Sequence, residues 1–448
     1  MKRSLLVFLL SISMYLISSA QTAREYIALH PQKAWLSHTV YPVDMIASRA
    51  ETPKGYVPFY VSHYGRHGSR YDRKDDSMIH MIQRFDKLDS MGVLTEVGYK
   101  VRQEIEKITS LHKGNLGMLT EVGAAQHRDI ASRLYTSCRE IFTPGCRINS
   151  IASSSKRCVA SMKAFNEALL EKDPEMVQDM SSAKEILGYA RPAGSNNQLN
   201  TKELRKKVDK FRHANDTRWY MERKQYQKKN KDYSAAEKMV INSKESLHKI
   251  NCSVNHFSTN IFRFLMFAQN LGIDETALVK EIFNDDIIYS IYLNQNFSWY
   301  NQHACADESP IAEHLYVMRY LIDNMVSRAD KAIEGSYPYV GDFRFGHDTH
   351  LTPIVASLGF CQYPDTYLSI EEAGEKWRGY TITPMAGNLQ MILYRRADKK
   401  NDVLVRFLLN ENDVTLPIKS SKAPFYRWGD FKKYVVKRFE NLKNRISN

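Results

Sequence analysis

Beyond residue 20, the 448-residue sequence has no apolar stretch long enough to cross a bilayer. It carries no internal repeat and no low-complexity tract, so neither a solenoid nor a disordered array is expected. Cys-x-x-Cys pairs and tight Cys/His clusters are absent as well, which removes the usual spacing of a structural zinc site. Cysteine itself is scarce: Cys138, Cys146, Cys158, Cys252, Cys305 and Cys361. An even number of cysteines allows disulfides in an oxidising compartment. Cys138 and Cys146, the nearest in sequence, are the pair expected first. Cys158, beside Arg157, is expected as a buried thiol rather than a redox group.

At the N-terminus, Lys2 and Arg3 precede an apolar run from Leu5 to Ile17, and Ser18-Ser19-Ala20 follows. A charged start, a short apolar run and small residues read as an export signal over residues 1–20. No cysteine sits at the cleavage site, which argues against a lipoprotein, so the expectation is a soluble periplasmic or extracellular chain from near Gln21. The net charge is +13, and dropping Lys2 and Arg3 leaves two fewer, +11. The excess gathers in Lys202 to Lys249, whose helix-like pattern reads mainly as a solvated face. The remainder suits collection of a small anionic substrate. Nucleic acid is the other standard partner of a basic chain, but an exported protein seldom meets it. Neither nucleic acid nor stable membrane insertion is expected, and no oligomeric state is read from the sequence.

Chemistry concentrates in three short segments. Arg66-His67-Gly68-Ser69-Arg70 follows the strand-like run Tyr56 to Val61. Guanidinium forks pair two-point with phosphate oxygens, and an unprotonated imidazole between them is a nucleophile. Gly68 reads as room for a ligand to approach the backbone. By itself the segment reads equally as a solvated surface loop. Phe345-Gly346-His347-Asp348-Thr349-His350 ends a second strand-like run, Tyr337 to Phe345. Ser153-Ser154-Ser155-Lys156-Arg157 lies between Ile151-Ala152 and a helix-like segment, Val159 to Leu170. Three strand ends thus present Arg66, His67, Arg70, Arg157, His347 and Asp348, and open α/β sheets bind ligands at such ends.

These motifs, with Gly117-Met118-Leu119-Thr120, Gly123, Gln126 and Arg128, come in an order that resembles the histidine phosphatase superfamily, in its acid phosphatase and phytase branch. Within the branch, Tyr71, Phe345, the stretch Val405 to Glu411 and Leu416-Pro417 look similar to the multiple inositol polyphosphate phosphatases. One departure stands out. That group carries His-Ala-Glu where this chain reads His347-Asp348-Thr349, the version similar to bacterial phytases, which in turn usually have proline where Tyr71 stands. The resemblance implies an α/β fold, a phosphoglycerate-mutase-like core with a mostly α-helical cap domain inserted. The core would span 21–167 and 334–448, and the cap 168–333. It also implies that His67 attacks phosphorus, that Arg66, Arg70, Arg157 and His347 hold the phosphate, and that Asp348 moves the proton. No cofactor and no metal is implied. Inositol polyphosphates are the first substrate class, with sugar phosphates and other small esters as the alternative. A silent phospho-ligand binder and a mutase-like transferase are the readings from other classes.

Bland readings stand beside these. Asp348 between a strand and a helix is often only an N-cap. His347 and His350, at i and i+3, with Asp348 raise a metal reading that no further ligand motif supports. His63, Arg73, Lys156, Thr349 and His350 form a wider candidate rim, each equally suited to packing or solvent. The aromatic residues between Trp219 and Tyr233, and between Tyr289 and Tyr300, read as helix packing ahead of a ligand-facing wall.

Overall fold

The computed structural model describes residues 21–73, 76–183, 201–230, 233–399 and 401–447; the signal read at 1–20 lies outside them. The core is one mixed sheet in the order β3-β2-β4-β1-β5-β6-β7, with β8 beside β6. In chain order its elements begin with β1 (Tyr56–Arg66), helix α1 (Glu121–Ser137), β2 (Arg147–Ser153), helix α2 (Lys156–Lys172) and β3 (Val177–Ala183). A long helical stretch follows, including α3 (Val254–Phe267) and α4 (Asp285–His303). The chain then returns to the sheet through β4 (Gly341–Gly346), α5 (Asp348–Leu358), β5 (Asn388–Arg396), β6 (Val403–Leu409), β7 (Asn412–Val414), β8 (Phe425–Arg427) and the closing helix α6 (Trp428–Ser447).

Period-two alternation distributes the core across both faces of the sheet. Phe343 and Phe345 of β4 join Phe165 and Leu169 of α2, and Ile130 and Leu134 of α1, on one face. Leu389, Met391 and Leu393 of β5 turn to the other face, where Leu351, Ile354 and Val355 of α5 cover them. The expected α/β fold class is the one observed.

β1 lies parallel to β4, with Arg66 opposite Gly346, and β2 lies parallel to β4, with Ala152 opposite Phe345. Three carboxyl ends therefore finish side by side. This register, rather than any single loop, brings the three motifs together.

The structure departs from the sequence reading at three elements. β1 runs through Arg66, five residues past the apolar run, because both its neighbours continue the ladder there. β3 extends the sheet at its edge inside the span read as helical from residue 168; its exposed Val177 and Met180 hide the strand in a polar context. Helical periodicity runs unbroken in the sequence from Ile311 to Ile333, yet two helices form there, Ser309–Val317 and Arg319–Glu334, meeting at Met318. No glycine or proline marks the joint, so periodicity alone runs through it.

Candidate active site

The loop after β1 is held by its backbone. The His67 N–H donates to the Gly346 carbonyl (3.0 Å), and its own carbonyl accepts from the Ala386 N–H (3.0 Å). The Gly68 N–H donates to Ser161 Oγ (3.1 Å) and the Ser69 N–H to Gln126 Oε1 (2.9 Å). Gly68 serves a purpose other than the one the sequence suggested. A Cβ there would fall 2.4 Å from the Gly123 carbonyl oxygen, so the glycine makes room for α1 and not for a ligand.

A cavity of about 410 Å³ opens over the three strand ends. β1 and its loop contribute Arg66, His67, Arg70 and Arg73, α2 contributes Arg157, and the start of α5 contributes His347, Asp348 and Thr349. Among the described residues, four guanidiniums face one carboxylate, which makes the cavity a site for an anion. Arg66 is divided between roles. Its Nη1 donates to the carbonyls of Ser37 and Thr383, and its Nη2 pairs with Asp348 Oδ2 at 2.9 Å. Among the described residues, Nε of Arg66 and Nε of Arg157 are buried donors without a protein partner.

His67 Nδ1 lies 2.9 Å from the Gly68 carbonyl oxygen. A carbonyl only accepts, so Nδ1 carries the proton and the Nε2 lone pair is free. Burial, with Arg66 and Arg157 beside it, holds this imidazole well below its ordinary value, so it is neutral at working pH. The His347 ring stands 5.6 Å from it, with Nε2 3.3 Å from Ser153 Oγ. Burial and then Arg157 lower His347 to about 4. Burial alone would push the Asp348 carboxyl up; the Arg66 charge outweighs it and, with the Thr349 N–H (2.9 Å), holds it at about 2.

The sequence matches the family model of the histidine phosphatase superfamily (branch 2) over residues 65–298 and 334–410. The chain belongs to that superfamily. It is a phosphoric monoester hydrolase, as the resemblance implied. Among solved structures, the multiple inositol polyphosphate phosphatase of Bifidobacterium longum, complexed with inositol hexasulfate, is 19% identical with a TM-score of 0.69, over 89% of this chain and 97% of that one. The phytase from D. castellii is 15% identical with a TM-score of 0.64, over 93% and 88%. The Citrobacter braakii phytase is 13% identical with a TM-score of 0.52, over 85% and 98%. At these identities the likeness is one of fold. No curated protein matches the sequence significantly.

Against this histidine phosphatase cleft, the wider rim read from sequence divides. Arg73 and Thr349 line the cavity. His63 does not: it is 1% exposed beneath the sheet, packed on Phe165, Phe343 and Phe345 at 5.3–5.9 Å. A strand residue four before His67 points to the opposite face from a loop residue, and spacing alone could not tell which. Lys156 is exposed outside the lining, and the His350 ring meets the Tyr64 hydroxyl (3.2 Å) instead of the cavity. Asp348 is not the N-cap of α5; His347 takes that position and Asp348 opens the first turn. All six cysteines are free thiols, so the Cys138–Cys146 pairing is not formed, while Cys158 is buried as expected. Sequence reading missed Ser37 and His38, which reach the cleft from far upstream, and put packing ahead of a ligand-facing wall for Trp299, which lines the cavity. Neither histidine nor serine upstream lies in a motif, so no local signal marked them.

Proposed function

We propose that this phosphatase is an exported enzyme that hydrolyses inositol polyphosphates through a phosphohistidine. The observation that carries the reading is the His67 Nε2 lone pair, held neutral among Arg66, Arg70 and Arg157 in one cavity. In the first step Nε2 attacks phosphorus, the N–P bond forms and the ester P–O bond breaks. Arg66, Arg70, Arg157 and His347 stabilise the charge on the non-bridging oxygens. Asp348 gives its proton to the leaving alkoxide. In the second step the Asp348 carboxylate takes a proton from water, whose oxygen attacks phosphorus and displaces His67 as phosphate forms. The pair with Arg66 keeps Asp348 ionised until substrate binds. A bound phosphate shares the Arg66 charge, which raises the proton affinity of Asp348 when the acid is needed.

The substrate class rests on the cationic cleft and on the neighbours, one crystallised with inositol hexasulfate and others described as phytases. In the same reading, the helical part of residues 168–333 is a cap, and α4 closes one side of the cleft with Trp299. Export rests on the N-terminal pattern; among the described residues, no helix is long and apolar enough to cross a membrane.

Phosphate release from inositol hexakisphosphate and from 4-nitrophenyl phosphate, in chelator, tests the proposal on wild type and His67→Ala. Release from both that disappears in the variant is expected, with inositol hexakisphosphate preferred in kcat/KM. Preference for the aryl ester would move the assignment to a broad-specificity phosphatase. Undiminished release by His67→Ala would remove the phosphohistidine.

A further inference from the structure

The family match begins at residue 65, yet residues well upstream of it line the cleft. The segment Pro31–His38 forms a broken 3-10 turn in which Leu36 has φ 42° and ψ −101°. A leucine takes such a conformation only where its surroundings hold it. The three residues that follow it are each held by their carbonyl, the first of them by Arg66 of the cleft. The Ser37 carbonyl accepts from Arg66 Nη1, the Thr39 carbonyl accepts from the Met385 N–H (2.8 Å), and Asn270 Nδ2 donates to the His38 carbonyl (2.8 Å).

The turn aims His38 into the cavity, where Nε2 lies 3.4 Å from Arg70 Nη2. A guanidinium only donates, so Nε2 accepts and the proton of the neutral ring sits on Nδ1. Burial, then Arg70 and Arg66, keep the ring neutral by holding it well below its ordinary value. Nδ1 has no hydrogen-bond partner among the described residues. That N–H is therefore left free on a ring lining the anion site, carried by an element that is no part of the phosphate clamp.

We propose that His38 is a specificity-determining contact: its Nδ1–H donates to a substrate oxygen outside the phosphate under attack, a hydroxyl or second phosphate on a neighbouring carbon of a polyol. The proposal rests on the polyol-phosphate reading above. A neutral donor adds little to the general attraction of anions and much to their placement, because its bond depends on direction as well as distance. A substrate with one phosphate and no neighbouring polar group gives it nothing to bind.

The test compares His38→Leu, which removes the donor at similar volume, with His38→Gln, which keeps an N–H. Both are assayed on inositol hexakisphosphate and 4-nitrophenyl phosphate. His38→Leu is expected to lower the ratio of kcat/KM values, hexakisphosphate over aryl ester, roughly tenfold, chiefly through KM, and His38→Gln to regain most of it. Equal loss on both substrates, which would make His38 only a support for Arg70, overturns the proposal. So does an unchanged ratio. If wild type hydrolyses neither ester, the polyol-phosphate reading fails before His38 comes into question. A crystal of the wild-type protein soaked in inositol hexasulfate gives a readout free of any variant. His38 Nδ1 within about 3.2 Å of an oxygen remote from the sulfate at His67 supports the contact, and a ring facing no ligand atom overturns it.

Discussion

With the His67 Nδ1–H committed to the Gly68 carbonyl, Nε2 is the ring nitrogen left with a lone pair, and the ring cannot turn over without losing that bond. Asp348 is subject to opposite pressures, since burial favours its neutral form and Arg66 its charged form. An amide in its place keeps the shape and a contact to Arg66 but carries no transferable proton. Asp348→Asn is therefore expected to reduce kcat on an alkyl phosphate by roughly 10²–10⁴-fold. KM should stay within a few fold. The loss should be much smaller on 4-nitrophenyl phosphate, whose leaving group needs little help from an acid. Steady-state kinetics on the two esters check this, and an equal loss on both would take the acid role from Asp348.

At the scale of elements, the reactive loop is a contact between backbones. α1 meets it at Gly123, where a Cβ would lie 2.1 Å from the Ser69 carbonyl oxygen, and Gln126 holds Ser69 through both its amide N–H and its hydroxyl. The clash is with backbone and cannot be relieved by a side-chain rotation. Gly123→Ala must push the loop or the helix, and a displacement near 1 Å at a reacting group costs on the order of 10²-fold in rate. The expected outcome is a soluble protein with kcat/KM down by about that factor. Near wild-type activity in this variant would mean that the loop tolerates displacement. Gln126→Ala should act in the same direction and more weakly, because it removes two hydrogen bonds without moving the helix.

For the molecule as a whole, buried imidazoles set the response to acid. Burial lowers both His63 and His127 to about 3, and His127, which packs on the same Phe345 ring, further opposes the protonation of His63. Their folded values lie below the unfolded value near 6.5, so the unfolded chain binds more protons as the pH falls. Their stabilising contribution is complete above about pH 6.5 and is lost progressively towards pH 3, at about 2 kcal/mol each by pH 5. Asp348, held at about 2, contributes above pH 3.8 and does not change in this window. The melting temperature is expected to fall between pH 7 and pH 5, and His127→Leu should flatten that slope. A melting temperature independent of pH across the window would contradict the burial of these rings.

The sequence by itself determined the α/β class, the family and six residues of the cleft, because the reacting groups lie in contiguous motifs at strand ends. A motif is legible when backbone adjacency does the placing. His63 misled for a related reason, since residues four apart share a face only while the strand continues, and β1 ends at Arg66. The tertiary structure decided the rest. It set the parallel register that aligns three strand ends, the glycine contact that fixes the loop, and the arrival of His38 and Trp299 from separate segments outside the motifs. These depend on contacts between segments far apart in sequence, and such contacts leave no local pattern of spacing or polarity to read.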